Sequence, residues 1–313
     1  MSAEHETSAA LDGRPGEAAA ELPDWRPTAA REVTAGRRTG PVPSWFRFFA
    51  SELRILLGRP RTLALLGLLA AVPVLFGVVF RLESSTTVGG PLFLNQVAGS
   101  GVFLALAVLL LMLMLLMLPF SVAVVAGDSI AGEANLGTLR GLLTVPVGRT
   151  RLLAVKYAAI VVFSLAACLV VSLVSLIVGL ILFPDGQVTL LSGSTVPLGV
   201  GVFRVLLVTL YVAAAMASLG AIGLAASTLT RHPVGAIAVG VVVIIVSEVC
   251  DQVPQFSAIH PYLPSHWWLT WDGLFRSPVD WSGVQHGLVS FVVYAVIFWT
   301  IAWARLTSAD IAS

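Results

Sequence analysis

The sequence predicts an all-α integral membrane protein with six transmembrane helices, an N-terminal amphipathic interfacial helix and both termini in the cytoplasm. Three observations support this fold class. The first is composition, because 57% of the 313 residues are hydrophobic and only 11% are charged, against about a quarter charged in an ordinary soluble domain. The second is a series of six long uncharged runs, and the third is the uneven placing of arginine between them.

Residues 1–43 differ from the rest of the chain. They hold five arginines and seven acidic residues, whereas all later residues together hold thirteen basic and ten acidic residues. The segment shows no hydrophobic periodicity, which is typical of disorder. It begins without an apolar core and so does not resemble a secretory signal. We expect a disordered cytoplasmic leader.

In residues 44–58, arginines recur at helical spacing and define one face of a predicted helix. Aromatic and aliphatic residues occupy most of the other positions. The residues that define the two faces are Arg47, Arg54, Trp45 and Phe49. Such a helix is suited to lie in the headgroup plane. We therefore predict an interfacial elbow helix. The alternative is a simple extension of the first span, against which Pro60 argues.

A membrane helix needs about twenty apolar residues, and six stretches come close to or exceed this length. They cover residues 62–80, 102–126, 150–183, 200–228, 234–250 and 284–304. We expect Pro73 to kink the first span and the second span to continue past Pro119.

The connections between these spans decide their orientation, because positive residues are retained on the cytoplasmic side. With the N-terminus inside, ten basic residues fall on the inner side and three on or near the outer side. This distribution predicts a protein of the cell membrane with both termini in the cytoplasm.

The longest predicted inner connection, residues 127–149, contains a short candidate helix with an N-cap, an apolar face and a terminating proline. Its residues are Gly137, Thr138, Leu139, Leu142, Leu143 and Pro146. A helix this short is marginal alone, so its leucines need a covering surface. From periodicity alone, that surface is equally well a groove on a partner protein or the ends of this chain's own helices.

Two acidic residues lie at the predicted inner end of the second span. Asp128 and Glu133 are five residues apart and do not share one helical face. We expect solvated interfacial charges, or ion pairs with Arg149 or Arg151.

Two further ionisable residues lie at similar predicted depth near the outer side. Arg204 begins the fourth span and Glu248 ends the fifth. Because an unpaired charge in a span is costly, they form a candidate ion pair across two helices. The alternative is that each side chain reaches the outer interface separately.

The predicted outer segment, residues 251–283, contains four tryptophans, as in an aromatic belt at a membrane interface. It is either a partly embedded cap over a translocation route or an interfacial anchor. His260 and His266 do not match a metal-ligand spacing. Cys168 and Cys250 lie at different predicted depths, so neither a disulfide nor a cysteine metal site is expected.

A Walker A loop requires Gly-Lys-[Ser/Thr], and the chain has one lysine. Lys156 lies in Ala154-Val155-Lys156-Tyr157. The chain therefore cannot be a P-loop ATPase by itself, and no catalytic residue is predicted.

Residues 126–156 resemble the signature of the type-2 (ABC-2 type) ATP-binding-cassette exporter permeases. The matching positions are Gly132-Glu133, Gly137-Thr138-Leu139, Leu142-Leu143, Pro146 and Arg149. The resemblance extends over roughly residues 44–306, and the leader has no counterpart in it.

This resemblance implies that the short helix is a coupling helix seated on a separate ATPase subunit. It implies two ATPases, which bind ATP and Mg²⁺, and two permease chains, identical or different, that export an unidentified substrate. No cofactor in this chain and no nucleic-acid partner is expected. The arginine-for-lysine bias suggests a GC-rich genome, compatible with a bacterium.

The residues leave two alternative functions to consider. An ion-coupled secondary transporter would need acidic residues at mid-depth, and the predicted spans contain none there. An intramembrane enzyme, such as a serine protease, would need a nucleophile and a base in register. Serines occur in several spans, but no motif frames them.

Overall fold

The computed structural model describes residues 44–84, 100–135, 148–183, 187–190, 192, 194–230 and 232–308. The α-helices in this part are α1 (Ser44–Gly58), α2 (Pro60–Ser84), α3 (Gly101–Met114), α4 (Met117–Asn135), α5 (Arg149–Leu182), α6 (Leu198–Leu229), α7 (Pro233–Gln252) and α8 (Ser282–Ser308). Three short 3-10 helices, Pro254–Phe256, His260–Tyr262 and His266–Phe275, join α7 to α8.

Six of these helices, α2, α4, α5, α6, α7 and α8, are long and apolar enough to cross a membrane. The predicted fold class, an all-α multi-pass membrane protein with six spans, is therefore confirmed. Helix α1 has the bounds predicted for the elbow, and its position at a membrane interface stays a prediction. We call the end of the bundle with the start of α5 the predicted inner end, and the opposite end the predicted outer end.

The second span differs from its prediction, because it is broken. Helix α3 ends at Met114 and α4 begins at Met117, with Leu116 between them at φ 57°. Pro119 explains the position of the break. Its ring clashes with the carbonyl of residue 115 in a continuous helix, whereas in the first turn of a new helix no N–H is required. By contrast, α2 continues as one helix through Pro73.

A small antiparallel hairpin joins α5 to α6. Strand β1 (Gln187–Thr189) pairs with β2 (Thr195–Pro197), and Val188 lies opposite Val196. Val188 is buried and lies against Gly201 of α6. The hairpin thus positions the predicted outer end of α6.

Helix α6 is at the centre of the bundle and packs against α4, α5, α7 and α8. Most of its side chains are buried, whereas α2, α7 and α8 expose many valines, leucines and isoleucines. An exposed aliphatic surface is stable against lipid, and small residues at helix contacts permit close approach. At one such contact, Gly101 of α3 and Gly179 of α5 touch backbone to backbone.

Candidate functional site

The predicted coupling residues lie on both sides of a stretch that falls outside the described part of the chain. Gly132 and Glu133 are in the last turn of α4, and Arg149 begins α5. The remaining predicted residues lie outside the described residues, and they are Gly137, Thr138, Leu139, Leu142, Leu143 and Pro146. The structure therefore describes the two places where loop 136–147 joins the bundle, which together form the candidate site.

A buried ion cluster lies where α4 enters the loop. The Lys156 side chain is 2% exposed, and its Nζ lies 2.6 Å from Oε1 of Glu133 and 3.0 Å from Oε1 of Glu52. These residues belong to α5, α4 and α1, so three helices meet at one ammonium group. Because burying an unpaired ammonium costs several kcal/mol, these carboxylates stabilise the buried lysine. We call Glu52, Glu133 and Lys156 the lysine cluster.

The sequence pattern does not reveal the lysine cluster. From the sequence alone, Lys156 serves only to exclude a Walker loop, and Glu52 is hidden on a helix dominated by arginine and aromatic residues. One signal could have found it. Lys156 lies two turns inside a predicted span, where an ionisable side chain requires a partner.

Asp128 makes a second contact, between α4 and the corner that joins α1 to α2. Its Oδ2 lies 2.9 Å from Nη1 of Arg59, and its Oδ1 lies 3.3 Å from Nη1 of Arg61. Gly132, one turn later, leaves room for this carboxylate, because a Cβ at Gly132 would lie 2.5 Å from Oδ1 of Asp128. The position of the Asp128 carboxylate thus explains why residue 132 is a glycine.

The expectations for the two acidic residues at this end need correction. Asp128 is neither a solvated charge nor paired with Arg149 or Arg151, because the corner between α1 and α2 brings its own arginines to it. Glu133 is not a solvated charge either, since its side chain is 12% exposed and faces Lys156.

Arg149 connects the other end of the loop to the last helix. Its Nη1 donates to the carbonyl oxygens of Leu306 and Thr307, at 3.2 and 3.0 Å. In the same region, the indole N–H of Trp303 donates to Oγ1 of Thr150 at 2.9 Å. A guanidinium group interacts favourably with the carbonyls that end a helix. The start of α5 is therefore joined to the end of α8.

A buried serine joins the central helix to α4. The Ser227 hydroxyl accepts hydrogen bonds from the N–H groups of Ile130 and Ala131, at 3.0 and 2.8 Å, and donates to the Gly127 carbonyl at 2.8 Å. These are the same turns of α4 that carry the two acidic residues. Movement of this part of α4 must therefore involve α6.

At the predicted outer end, Arg204 and Glu248 have separate partners. Nη1 of Arg204 donates to the carbonyls of Leu274 and Arg276, at 2.9 and 2.8 Å, while Glu248 lies near Ser265 and Asp251. The candidate ion pair is therefore not formed in the described structure. The reason is that carbonyls at the end of a 3-10 helix are available to the guanidinium group.

The aromatic outer segment packs partly inside the protein. Trp268 and Trp271 are buried, Trp267 is half-buried and Trp281 is 50% exposed. Two of the four indoles are thus unavailable for an aromatic belt. In the described residues, no three His, Cys, Asp or Glu side chains are placed to hold a metal ion.

An apolar cavity of about 310 Å³ lies beside the break in the second span. Its walls come from the break itself and from α7, and they are Leu115, Leu116, Met117, Phe120, Val241 and Ile244. The cavity can accept an aliphatic group and offers no charged partner.

The chain matches a protein-family model. A family model described as ABC-2 family transporter protein matches residues 59–247. This range is more than half of the chain, and it includes Gly132, Glu133 and Lys156 but not Glu52. A comparison with curated proteins gave no match.

Proposed function

The chain belongs to the ABC-2 transporter family, and on that premise we propose that it is the permease subunit of an exporter driven by a separate ATPase. Family membership makes it a membrane permease of an ATP-binding-cassette transporter. We further propose the direction of transport, the route by which ATP hydrolysis acts on the bundle, and the membrane in which the protein lies. The ten-to-three distribution of basic residues supports a cell-membrane protein with cytoplasmic termini.

The observation that carries the coupling proposal is the anchoring of loop 136–147 at both ends. On one side, the lysine cluster joins α4 to α1 and α5. On the other side, Arg149 joins α5 to α8. A partner that displaces the loop therefore acts on four helices, not on a free connection.

The partner that fits this loop is an ABC ATPase. The sequence predicts a short helix with a leucine face over Thr138 to Leu143, suited to a groove on another protein. Two ATPases would bind ATP and Mg²⁺, and a second permease chain, identical or different, would complete the transporter.

ATP can favour one state of the bundle only if the ATPase contacts differ between the inward-open and outward-open states. We propose that this difference enters at Leu139, Leu142 and Leu143 and reaches the spans through the lysine cluster and Arg149. The apolar cavity at the broken second span supports a hydrophobic or amphipathic cargo.

The test is co-purification of an ATPase with the tagged chain from the cells that produce it naturally. We expect an ATPase to remain bound to the wild-type chain and to be lost when Leu139, Leu142 and Leu143 are changed together to Asp. The control is Leu229→Asp, which alters an exposed leucine at the same predicted end of the bundle but outside the loop. Transport by the purified chain alone, driven by an ion gradient and independent of nucleotide, would contradict the proposal.

A further inference from the structure

We propose that the predicted outer end carries a proton-operated clasp, in which binding of a proton between His260 and Asp251 tightens the link between α7 and the outer segment whose Trp267 stacks on α8. We call Asp251, His260, His266, Trp267 and His286 the outer clasp. Its existence does not depend on the proposed ATPase coupling. Only its consequence for cargo release rests on the proposed function.

Asp251, in the last turn of α7, is the acceptor at the centre of the clasp. Its Oδ1 lies 2.6 Å from Nδ1 of His266 and 3.9 Å from Nδ1 of His260. Each of the three side chains is less than a third exposed. Two imidazoles thus approach one carboxylate oxygen.

The hydrogen bonds of His260 make this pair sensitive to a proton. Its Nε2 lies 3.2 Å from the carbonyl oxygen of Val253. A carbonyl only accepts, so Nε2 carries the hydrogen, and in the neutral ring Nδ1 then holds a lone pair. That lone pair faces the Asp251 carboxylate, so the two acceptors repel. A proton on Nδ1 converts the repulsion into an ion pair.

The clasp continues from α7 to α8 through aromatic contacts. The ring of His266 meets Trp267 edge to face at 4.9 Å, and Trp267 stacks on His286 of α8 at 5.4 Å with an interplanar angle of 17°. Tyr211 of α6 donates its hydroxyl to the Trp267 carbonyl at 2.5 Å. Protonation of His286 would strengthen its contact with the indole face. Residues of three spans therefore meet at one stack.

The other groups around the clasp are acidic, phenolic or already paired. Glu248, on α7, lies near Asp251, and Tyr211 of α6 is neutral around pH 7. Within the segment itself, Asp272 is occupied by Arg276 at 2.9 Å. Among described residues, Asp251 has no arginine or lysine within 4 Å, so the histidines are its cationic partners.

Histidine changes charge between about pH 5 and 8. Acid on the outer side should therefore hold the outer ends of α6, α7 and α8 together, and neutral or alkaline medium should release them. In a transporter of the proposed kind, acid would slow opening toward the outside.

The test measures the distance between α7 and α8 in the full chain in phospholipid nanodiscs. Spin labels are placed at Val249→Cys and Val289→Cys, both exposed, after Cys168→Ala and Cys250→Ser. We expect the ratio of short to long distances to rise about two- to fivefold from pH 8.0 to pH 5.5, the size expected for a partly exposed ion pair. His260→Gln should remove most of this change, whereas His232→Gln at the predicted inner end should not.

Asp251→Asn provides a second variant, which should also remove the change if His260→Gln fails to insert. The proposal is overturned if the wild-type distances do not change with pH, or if both clasp variants keep the full response. It is also overturned if EDTA abolishes the response, because a metal ion would then replace the proton. No ATPase is present, so failure here leaves the coupling proposal intact.

Discussion

The Nζ atom of Lys156 lies 2.6 Å from a carboxylate oxygen of Glu133, and the lysine side chain is 2% exposed. Glu52 approaches the same nitrogen from α1 at 3.0 Å. The single lysine of the chain thus connects α1 to the two helices that bound loop 136–147. Because the interaction is shielded from water, its loss should affect stability far more than loss of a surface ion pair.

Lys156→Met should destabilise the protein by about 3–5 kcal/mol, because it removes the buried cation that two poorly exposed carboxylates contact. Unfolding of the purified protein in detergent measures the loss. Arg54→Met is the control, since it removes an exposed cation from α1 and should cost less than about 1 kcal/mol. Equal losses in the two variants would contradict a structural role for the lysine cluster.

Glu52→Gln and Glu133→Gln should each be tolerated better than their combination. After either single change, Lys156 keeps one carboxylate partner and the pair has no net charge. The free energy of unfolding should then fall by about 1–2 kcal/mol. The double change leaves a buried ammonium unpaired, so its loss should exceed the sum of the single losses by at least about 1 kcal/mol. Purely additive free energies of unfolding would show that the carboxylates do not share Lys156.

Gly132→Ala should destabilise the protein by about 1 kcal/mol, although alanine is the better helix former. The reason is that its Cβ would lie 2.5 Å from Oδ1 of Asp128 and force that carboxylate away from Arg59. In an Asp128→Ala background, the same change should become stabilising. A destabilising effect of the same size in both backgrounds would mean that Asp128 is not the obstacle.

Gly101→Ala should destabilise the protein by about 2–3 kcal/mol, because the new methyl group would meet the Gly179 backbone, which cannot move aside cheaply. The matched control is Gly67→Ala in α2, where a Cβ has open space. This change should stabilise the protein by up to about 1 kcal/mol. Thermal unfolding in detergent compares the two. A tolerated Gly101→Ala would show that α3 and α5 are not in backbone contact.

The spans could be predicted because each is defined by local composition. Residues 150–183 and 284–304 were expected as spans, and α5 (Arg149–Leu182) and α8 (Ser282–Ser308) occupy those positions. The family could also be predicted, since its motif positions, from Gly132-Glu133 to Arg149, lie close together in the sequence. The break at Leu116 was not predicted, although Pro119 is visible in the sequence, because hydropathy does not record helix continuity.

The ion pairs show the limit of sequence reasoning more clearly. Arg204 and Glu248 were matched by depth alone, yet depth does not say which side chains face each other. Lys156 and Glu52 are 104 residues apart, and no spacing rule connects them.

The sequence by itself determined that this protein crosses a membrane six times and to which family it belongs, because apolar length and contiguous motifs are properties of the chain alone. Only the tertiary structure decided which charges meet: Lys156 with Glu52 and Glu133, Asp128 with Arg59 and Arg61, and Asp251 with His266. The physical reason is that an ion pair needs two side chains within about 4 Å, and that distance is set by the packing of whole helices.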